Sequence, residues 1–460
     1  MRPHRAFPVS ACHNIRMDSF PSAPLPQSRA DLEALQCARF RKLLQTILPH
    51  NQFYAAKLAH VSHAIASLAD IADWPFTCKE ELVAAAIATG KPGNLTWAAD
   101  RYVRFHQTSG TLGRPLPVLD TADDWAWWME CWQLILDRGN VCAGDRVLVA
   151  SSFGPYVGFW SAFDGVLTRG AMAIGTGGMP SLARLDLLRT LAATVLVTTP
   201  SYALHLAEIA RENQIDTTSL PLRLVIVTGE SGGSIPTLRA RIAEAWRADV
   251  LDHAGASEVG AWGVGDREGR GLNVIEPMFY AEFLALQTGI AAQSGELSEL
   301  VLTTLGRSGA PVIRYRTGDV VRPQWPTEEK IVAGESPWVR LVGGILGRTD
   351  DMLVVRGVNI FPSAIAGIVR SFPEIVEYRL TVSTRESLDT ISLEIEDRLN
   401  DPQRVAREMQ VRLGLRVEVT AVPPISLPRF EGKGRRVIDQ RTPQNSTNQN
   451  FAFEKRGGTI

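Results

Sequence analysis

Lysine is scarce in this sequence of 460 residues. Of its 48 basic residues, 7 are lysines and 48 − 7 = 41 are arginines. Such an excess of arginine is typical of a base-composition bias and indicates no function by itself. A lysine that is retained inside a motif nevertheless stands out against this background. The seven lysines are Lys42, Lys57, Lys79, Lys91, Lys330, Lys433 and Lys455.

A strong charge of one sign, paired cysteines and long apolar runs are also absent. The net charge is −1, which excludes the strongly basic surface of a protein that binds nucleic acid or an anionic membrane. The 5 cysteines form no CxxC pair and the 8 histidines form no HExxH motif, so neither a disulfide framework nor a zinc site is indicated. No apolar run reaches the roughly 18 residues of a membrane-spanning helix. We therefore expect a cytoplasmic protein without a nucleic-acid or membrane partner.

The composition is that of a globular protein with polar segments at both ends. Hydrophobic residues make up 45% and charged residues 21%. Residues 1–27 lack the apolar segment of a secretory signal, so we expect a disordered leader there, with Met17 as an alternative start. Residues 441–460 are rich in Asn, Gln, Ser, Thr and Gly, and we expect a disordered tail.

Hydrophobic periodicity predicts an α/β fold. Residues 28–70 follow a helical pattern, and from about 100 to 260 short apolar runs alternate with helical stretches. Strands are predicted at 146–151, 171–175, 195–199, 222–228 and 248–252, and helices at 125–136, 181–192, 202–213 and 237–246. This alternation is typical of a mostly parallel sheet with helices on both faces.

The pattern changes after residue 278. The segments 279–286, 295–303 and 311–315 are predicted to be antiparallel strands. From 353 to about 425, the order strand, helix, two strands, helix, strand predicts a small α+β unit. We therefore predict a large N-terminal domain at 28–346, with mostly parallel sheets and a small antiparallel β region. A hinge at 347–351 and a small C-terminal α+β domain at 352–440 would follow.

The loop at 107–115, QTSGTLGRP, alternates hydroxyl residues with glycines just before a predicted helix. Glycine lets backbone N–H groups approach a phosphate closely, and the hydroxyls add donors. No GKS or GKT sequence closes the loop, so it is not a Walker A motif. An ordinary turn is the alternative interpretation.

Two more polar loops follow predicted strands of the sheet, TGESGG at 228–233 and DHAGASEVG at 252–260. Ligands bind to α/β proteins at the carboxyl ends of such strands. In the second loop, a carboxylate beside a hydroxyl suits a Mg²⁺ ion that bridges phosphates. His253 alone is typical of a structural histidine, and the loop at 228–233 also fits a simple turn.

Three later segments complete the set. In YRTGD at 315–319, the aspartate is placed to accept hydrogen bonds from ribose hydroxyls, or the segment is simply a hairpin turn. GRTDDMLVVRGVNIFP at 347–362 joins the two regions of the sequence. PRFEGKGRRV at 428–437 places a rare lysine between two glycines.

In this order and spacing, the segments resemble the adenylate-forming (ANL) superfamily of acyl- and aryl-CoA synthetases, luciferases and nonribosomal peptide adenylation domains. Residues 108–115 are similar to its TSGTTGxP loop, and 254–258 lie where the family has YGxTE. Residues 315–319, 347–362 and 432–436 are similar to YRTGD, GRxDDxxxxRGxNxxP and GKxxR. The resemblance covers about residues 30–440 and is strongest to the phenylacetate–CoA ligase branch.

The resemblance implies a role for each matched residue. The implied ATP-binding residues are Thr108, Ser109, Gly110, Thr111 and Gly113 at the phosphates, Gly229 and Glu230 along the adenine, and Asp319 and Arg348 at the ribose. The other implied roles are a Mg²⁺ site at Glu258 and Thr111, a hinge at Asp350, a CoA path at Arg356, Gly357 and Val358, and catalysis by Lys433 with Glu258. Lys433 would contact both the substrate carboxylate and the α-phosphate.

Four positions depart from the family pattern. Leu112 replaces a threonine of the phosphate loop, and Leu116 stands where many members have lysine or threonine. Ala254 replaces the aromatic residue that covers the adenine, and Ser231 replaces the proline of the adenine loop. A hydroxyl, a cation and a stacking surface are therefore missing, which puts the efficiency of nucleotide binding in question.

The segment SSFGPYVGFW at 151–160 is rich in aromatic residues and follows a predicted strand. Phe153 and Tyr156, with the small Ala254 and Gly255, would form an acyl pocket for a bulky acid. Packing in the core is the alternative interpretation for the aromatic side chains.

The sequence thus predicts an AMP-forming acid–thiol ligase that uses ATP, Mg²⁺ and coenzyme A. It would convert a carboxylic acid, expected to be an aromatic acid of secondary metabolism, to an acyl-adenylate and then to a CoA thioester. Two alternatives remain: an adenylation enzyme that loads an acyl carrier protein, and a ligand-binding homologue with impaired turnover. The oligomeric state, monomer or homodimer, also remains open.

Overall fold

The computed structural model describes residues 25–108, 115–266, 268–355, 358–385, 388–428 and 436–441. The chain divides into two compact units with a boundary between Asp350 and Asp351. We call them unit 1 and unit 2. Residues 1–24 of the expected leader and 442–460 of the expected tail lie outside the described residues.

The helices of the described residues are mostly short. They are α1 (Arg29–Ile47), α2 (Gln52–Lys57), α3 (Lys79–Thr89), α4 (Ala122–Arg138), α5 (Val157–Thr168), α6 (Ser181–Thr190), α7 (Pro200–Glu212), α8 (Pro236–Trp246), α9 (Glu328–Val332), α10 (Pro362–Val369) and α11 (Pro402–Leu413). None of them has the length and hydrophobicity that a helix needs to cross a bilayer.

The strands of unit 1 belong to three sheets. They are β1 (Tyr102–Gln107), β2 (Pro117–Thr121), β3 (Arg146–Val149), β4 (Met172–Gly175), β5 (Val195–Thr198), β6 (Leu224–Val227), β7 (Asp249–Ala256), β8 (Gly260–Gly265), β9 (Gly271–Val274), β10 (Phe279–Ala285), β11 (Ser298–Thr304), β12 (Tyr315–Val321), β13 (Pro323–Gln324), β14 (Arg340–Val342) and β15 (Gly347–Arg348).

The strands of unit 2 belong to a hairpin and a mixed sheet. They are β16 (Leu353–Val355), β17 (Val358–Ile360), β18 (Ile375–Arg385), β19 (Leu388–Asp397), β20 (Glu418–Ala421) and β21 (Val437–Asp439).

The largest sheet of unit 1 has nine strands in the order β13-β14-β9-β8-β7-β6-β5-β3-β4. Strands β3 to β7 pair in parallel, and β8, β9, β14 and β13 extend the sheet with antiparallel pairs. Alternate residues of the parallel strands enter two separate cores. Val147 and Val195 pack with the tryptophans of α4, whereas Leu148 and Leu196 pack with residues of α6 to α8. This two-sided burial explains why the parallel strands have almost continuous apolar sequences.

The predicted α/β class is confirmed, and the five predicted parallel strands are present with ends shifted by a few residues. Strands β7 and β8 extend the parallel part into an antiparallel part within one sheet. The sequence pattern predicts antiparallel strands only after residue 278.

A separate four-stranded antiparallel sheet has the order β10-β11-β12-β15. The predicted strand at 311–315 is wrong, because β12 begins at Tyr315. The backbone N–H of Ile313 donates to Tyr54 Oη at 2.9 Å and that of Arg314 donates to Thr303 Oγ1 at 2.9 Å. Arg314 also has a left-handed φ of 49°. The apolar residues before Tyr315 are therefore held in a loop by side chains and not in a β ladder.

The N-terminal helical pattern resolves into more than one element. Helix α1 starts after Ser28, whose side chain accepts from Asp31 N, and α2 starts after Asn51, whose side chain accepts from Tyr54 N. The two caps satisfy N–H groups that have no partner within their helices. The expectation of one helical region over residues 28–70 is thus correct only in part.

Unit 2 is a small α+β structure. Its sheet has the order β20-β19-β18-β21, in which β18 and β19 are antiparallel and the outer pairs are parallel. Ile365 of α10 and Met409 of α11 are buried in one core with Leu380 and Leu393 of the sheet. The predicted order of helices and strands is present, and the hairpin β16–β17 and strand β21 add to it.

Candidate active site

The predicted phosphate loop connects the two strands of a hairpin. Gln107 of β1 pairs with Pro117 of β2. Thr108 closes the base of the loop, because its N–H donates to Leu116 O at 3.0 Å and its Oγ1 accepts from Leu116 N at 3.0 Å. Thr108 is buried, and its hydroxyl acts on the backbone of the loop. Ser109, Gly110, Thr111 and Gly113 lie outside the described residues, as does Leu112.

Glu258 is buried in the turn that joins β7 to β8. Tyr315 Oη donates to its Oε1 at 2.8 Å, and Lys79 Nζ lies 3.2 Å from the same oxygen. Lys79 is the first residue of α3 and Tyr315 is the first residue of β12. Three segments that are far apart in sequence therefore meet at one carboxylate oxygen.

The surroundings of Glu258 keep its side chain ionised. Burial by itself would raise its pKa, but the charge of Lys79 and the hydrogen bond from Tyr315 hold the pKa below the ordinary glutamate value. The pKa of Tyr315 rises well above its ordinary value, because of burial and then the charge of Glu258. Tyr315 therefore stays protonated and remains a donor to the carboxylate.

An ionised carboxylate at this place fits a Mg²⁺ ion. Mg²⁺ prefers oxygen ligands and is often bound through one or two carboxylates together with substrate phosphates. Leu116, at the end of the phosphate loop, lines the same small cavity as Glu258. The described residues include no cluster of three or more His, Cys, Asp or Glu that could hold a metal ion by itself.

Gly229 and Glu230 lie in the loop that follows β6, at the carboxyl edge of the parallel strands. Gly229 has a φ of 88°, a conformation that favours glycine. Glu230 turns its carboxylate to the start of α7, where its Oε1 accepts from Ser201 N at 3.1 Å and from Ser201 Oγ. Ser231 Oγ donates to Ile345 O at 3.4 Å. The loop after β6 is therefore anchored to Ser201 on one side and to the backbone of Ile345 on the other.

Asp319 and Arg348 are brought together by the pairing of β12 with β15. Arg348 Nη1 donates to Asp319 Oδ1 at 3.2 Å, and its Nε donates to Asp350 Oδ1 at 2.8 Å. Gly318 has a φ of 74°, and a Cβ added to it would lie 2.8 Å from Arg348 Nη2. The YRTGD segment is therefore a strand with a glycine at a close approach, and not a hairpin turn.

The aromatic segment before α5 lies next to the phosphate-loop hairpin, since Gln107 N donates to Pro155 O at 2.7 Å. Phe153 meets Trp160 edge to face with ring centroids 4.9 Å apart, and it packs against the core of unit 1. Tyr156 is 46% exposed. Of these two predicted pocket residues, Tyr156 is the more exposed.

Ala254 and Gly255 are in the last part of β7. Ala254 is buried and pairs with Gly263 of β8, whereas Gly255 is exposed. A Cβ added to Gly255 would lie 3.0 Å from Gly260 O, so a larger residue would press on the turn that carries Glu258. His253 is buried, with Nδ1 2.8 Å from Gly263 O and its ring against Trp132, as expected of a structural histidine.

Several predicted residues cannot be placed. Arg356, Gly357 and Lys433 lie outside the described residues. Val358 is the first residue of β17.

Sequence reasoning missed three groups of the site: the ammonium of Lys79, the hydroxyl of Tyr315 and the guanidinium of Arg307. A signal for Lys79 was present, because it is one of only 7 lysines in the sequence. Tyr315 was part of a recognised motif, but no role was given to its side chain. Arg307 is one of 41 arginines and had no distinguishing signal.

Comparison with known proteins identifies the family of the chain. Residues 357–441 match the AMP-binding enzyme C-terminal domain family. A phenylacetate–coenzyme A ligase of Pseudomonas putida is 30% identical over 438 residues, which covers 90% of this chain and 96% of that protein. One from Escherichia coli K12 is 30% identical over 453 residues, which covers 93% of this chain and 98% of that protein. The chain belongs to the phenylacetate–coenzyme A ligase family.

A solved structure agrees with this assignment. A 2-hydroxyisobutyryl-CoA ligase in complex with R3-HIB-AMP superposes with a TM-score of 0.83 at 26% identity, over 93% of this chain and 95% of that chain. The resemblance to adenylate-forming enzymes is confirmed, as is the class of an AMP-forming acid–CoA ligase.

Proposed function

We propose that this protein activates a carboxylic acid with ATP to an acyl-adenylate and then transfers the acyl group to the thiol of coenzyme A. The observation that supports the proposal most directly is the buried, ionised Glu258, with Lys79 and Tyr315 on its Oε1 and the phosphate-loop hairpin beside it. The phenylacetate–CoA ligases and a 2-hydroxyisobutyryl-CoA ligase structure with 2-HIB-AMP and CoA support the same reaction.

The first half-reaction must bring two anions together. A carboxylate oxygen of the acid attacks the α-phosphorus of ATP, the bond to the β-phosphate oxygen breaks, and pyrophosphate leaves. Catalysis then depends on positioning and on neutralising negative charge. Bound Mg²⁺ would supply positive charge to the phosphates, and Glu258 with Thr111 would hold it.

The described residues contribute to this step in separable ways. Lys79 places its positive charge 3.2 Å from the Glu258 carboxylate and keeps that carboxylate ionised. Tyr315 fixes the orientation of the carboxylate through its hydrogen bond. Asp319 would accept from the ribose hydroxyls while Arg348 holds its side chain in place. Glu230 and Gly229 would border the adenine.

The second half-reaction uses the mixed anhydride formed in the first. The CoA sulfur attacks the acyl carbon, the bond from that carbon to the phosphate oxygen breaks, and AMP leaves. We assign Lys433 to the first step, and Arg356, Gly357 and Val358 to the path of the pantetheine. Asp350 accepts from Arg348 and is the last residue before the boundary between the units, and we propose it as the hinge.

The substrate that we propose is an aromatic carboxylic acid. Tyr156 is 46% exposed beside the hairpin, and Ala254 and Gly255 of β7 are small residues, of which Gly255 is exposed. We propose that an aromatic acid binds beside Tyr156, with its ring on this side chain and its carboxylate oxygens towards the phosphate loop. Phe153 would support this surface from the core.

The deciding experiment is carboxylate-dependent exchange of pyrophosphate into ATP over a panel of aromatic and short aliphatic acids. We expect exchange with aromatic acids and CoA-dependent release of AMP with the same acids. Transfer to a phosphopantetheinylated carrier protein but not to CoA would identify the carrier protein as the acceptor. Binding of an aromatic acid without exchange on the whole panel would overturn the proposed function and indicate a ligand-binding homologue.

A further inference from the structure

Arg307 follows β11 in a loop that is embedded in unit 1. The residue is fully buried. A Cβ added to Gly306 would lie 2.3 Å from Trp127, and one added to Gly309 would lie 2.1 Å from Asp124. Gly309 N also donates to Asp124 Oδ1 at 2.9 Å. The backbone on both sides of Arg307 is therefore fixed by close packing against α4.

The guanidinium of Arg307 joins two segments. Its Nε donates to Asp120 Oδ1 at 2.8 Å, and its Nη2 lies 2.7 Å from the same oxygen. Its Nη1 donates to the backbone carbonyl of Glu258 at 2.8 Å. Neither the Arg307 nor the Asp120 side chain is exposed, at 0% and 0%.

Each of these segments carries one half of the proposed Mg²⁺–phosphate site. Asp120 is on β2, the strand that leaves the phosphate loop. In the β ladder it lies opposite Arg104 of β1, the strand that enters the loop. Glu258 carries the carboxylate for the metal. Since the guanidinium is planar and rigid, its donors set the distance from the hairpin to the Glu258 turn.

Stability alone is a weak reason for such a pair. Removing two charges from water commonly costs more free energy than their attraction returns, and apolar replacements of buried pairs are often neutral or stabilising. Trp128 adds to the arrangement, because its Nε1 donates to Asp120 Oδ1 at 3.3 Å and its ring lies 5.8 Å from the Arg307 guanidinium. Asp120 Oδ1 is thus contacted by both Arg307 and Trp128.

We propose that Arg307 is a positioning residue for adenylation, which holds the Glu258 turn at a fixed distance from the phosphate-loop hairpin through Asp120. The inference rests on the proposed function. Arg307 itself contacts neither ATP nor the acid, so its removal should weaken the use of Mg²⁺ and ATP and leave the affinity for the acid unchanged.

The test compares two double variants of the full chain. The variant R307M/D120N replaces the pair by a neutral one of similar size. Its matched control, R223M/D145N, changes a pair in which Arg223 Nη2 donates to Asp145 Oδ2 at 2.6 Å and Nη1 donates to Gly139 O at 3.1 Å. That pair lies where β3 and β6 begin, at the edge of the sheet opposite to the site.

In R307M/D120N we expect kcat of pyrophosphate exchange to fall at least about tenfold, since small displacements in an active site cost up to about 100-fold. We expect the Mg²⁺ concentration for half-maximal exchange to rise at least about fivefold, and KM for the acid to stay within about twofold, because only the Mg²⁺–phosphate geometry changes. The control removes an ion pair elsewhere in unit 1 and should show none of these kinetic changes. Kinetic constants equal to those of the control would overturn the proposal.

Two further measurements complete the design. R307K keeps a positive charge opposite Asp120 but loses the donor to Glu258 O, so it should show the same rise in Mg²⁺ requirement. If neither variant folds, Arg307 acts on stability and the proposal is wrong.

Binding of ATP with Mn²⁺, measured by calorimetry, separates this inference from the proposed function. If the wild-type chain shows no exchange, the function fails, and weaker Mn²⁺–ATP binding by R307K would still support the positioning role.

Discussion

The ammonium of Lys79 and the carboxylate of Glu258 meet at 3.2 Å although 258 − 79 = 179 residues separate them in sequence. Tyr315 contributes the third group at the same oxygen. The charge of Glu258 is thus balanced inside the protein before any ligand is considered. The candidate site of unit 1 therefore combines residues from three segments and does not consist of one motif.

Replacement of Lys79 by glutamine should lower pyrophosphate exchange by about 100-fold, because preorganised charge at a reacting centre contributes on this scale. The loss of the cation also raises the pKa of Glu258, so the acid side of the pH–rate profile should move to higher pH. Lys79→Arg should restore part of the rate. Lys57→Gln is the matched control, since Lys57 forms a similar ion pair with Glu81 at 2.5 Å. Equal losses in the two glutamine variants would contradict the role of Lys79.

Lys433→Ala should abolish adenylation, with exchange reduced by more than about 100-fold, since one charge near the α-phosphate and the acid carboxylate is removed. The expectation rests on the GKxxR motif, because Lys433 lies outside the described residues. The melting temperature should stay unchanged. Lys455→Ala serves as a control for the loss of a lysine. Full exchange activity in Lys433→Ala would disprove the assigned role.

Glu230→Ala should raise KM for ATP about fivefold or more and leave kcat within about twofold, because it releases the proposed adenine loop from the start of α7. It also removes a cap and should cost about 1 kcal/mol of unfolding free energy. Thr199→Ala removes the other cap of α7, where Thr199 Oγ1 accepts from Tyr202 N at 3.2 Å. An unchanged KM for ATP in Glu230→Ala would show that the loop does not need this anchor.

The pH dependence of stability should change in opposite directions in two neighbouring variants. Burial lowers the pKa of His253 to about 4, below the ordinary 6.5 of the unfolded chain. The unfolded state therefore binds more protons, and up to about 3 kcal/mol of stability is lost as the pH falls from about 6.5 to about 4. His253→Asn keeps a donor for Gly263 O and should reduce this loss.

Asp252 has the opposite sign, since burial raises its pKa from 3.8 to about 6. The folded state then binds more protons between these values, so Asp252 adds stability as the pH falls through 6. Asp252→Asn should therefore make the free energy of unfolding fall more steeply as the pH falls. His253→Asn should make it fall less steeply. Urea unfolding at pH 7, 5.5 and 4.5 measures both effects. The interpretation fails if both variants follow the wild-type pH dependence.

Local pattern was sufficient to predict the five parallel strands of the largest sheet. The apolar runs at β5 and β6 are buried throughout, and their composition alone marks them as interior strands of a parallel sheet. The wrong prediction of a strand at 311–315 shows the limit of local pattern. The apolar run before Tyr315 is a loop, because Tyr54 and Thr303 supply hydrogen bonds that no local pattern can show.

The candidate site also has a part that the sequence predicts and a part that only the tertiary structure shows. The sequence by itself determined the family and the order of the motifs, and it singled out candidate residues such as Glu258 and Asp319, because motifs are local in the chain. Only the tertiary structure decided what surrounds them. Lys79, Tyr315 and Arg307 reach Glu258 from three other segments. Electrostatic balance depends on distance in space, and a sequence records only distance along the chain.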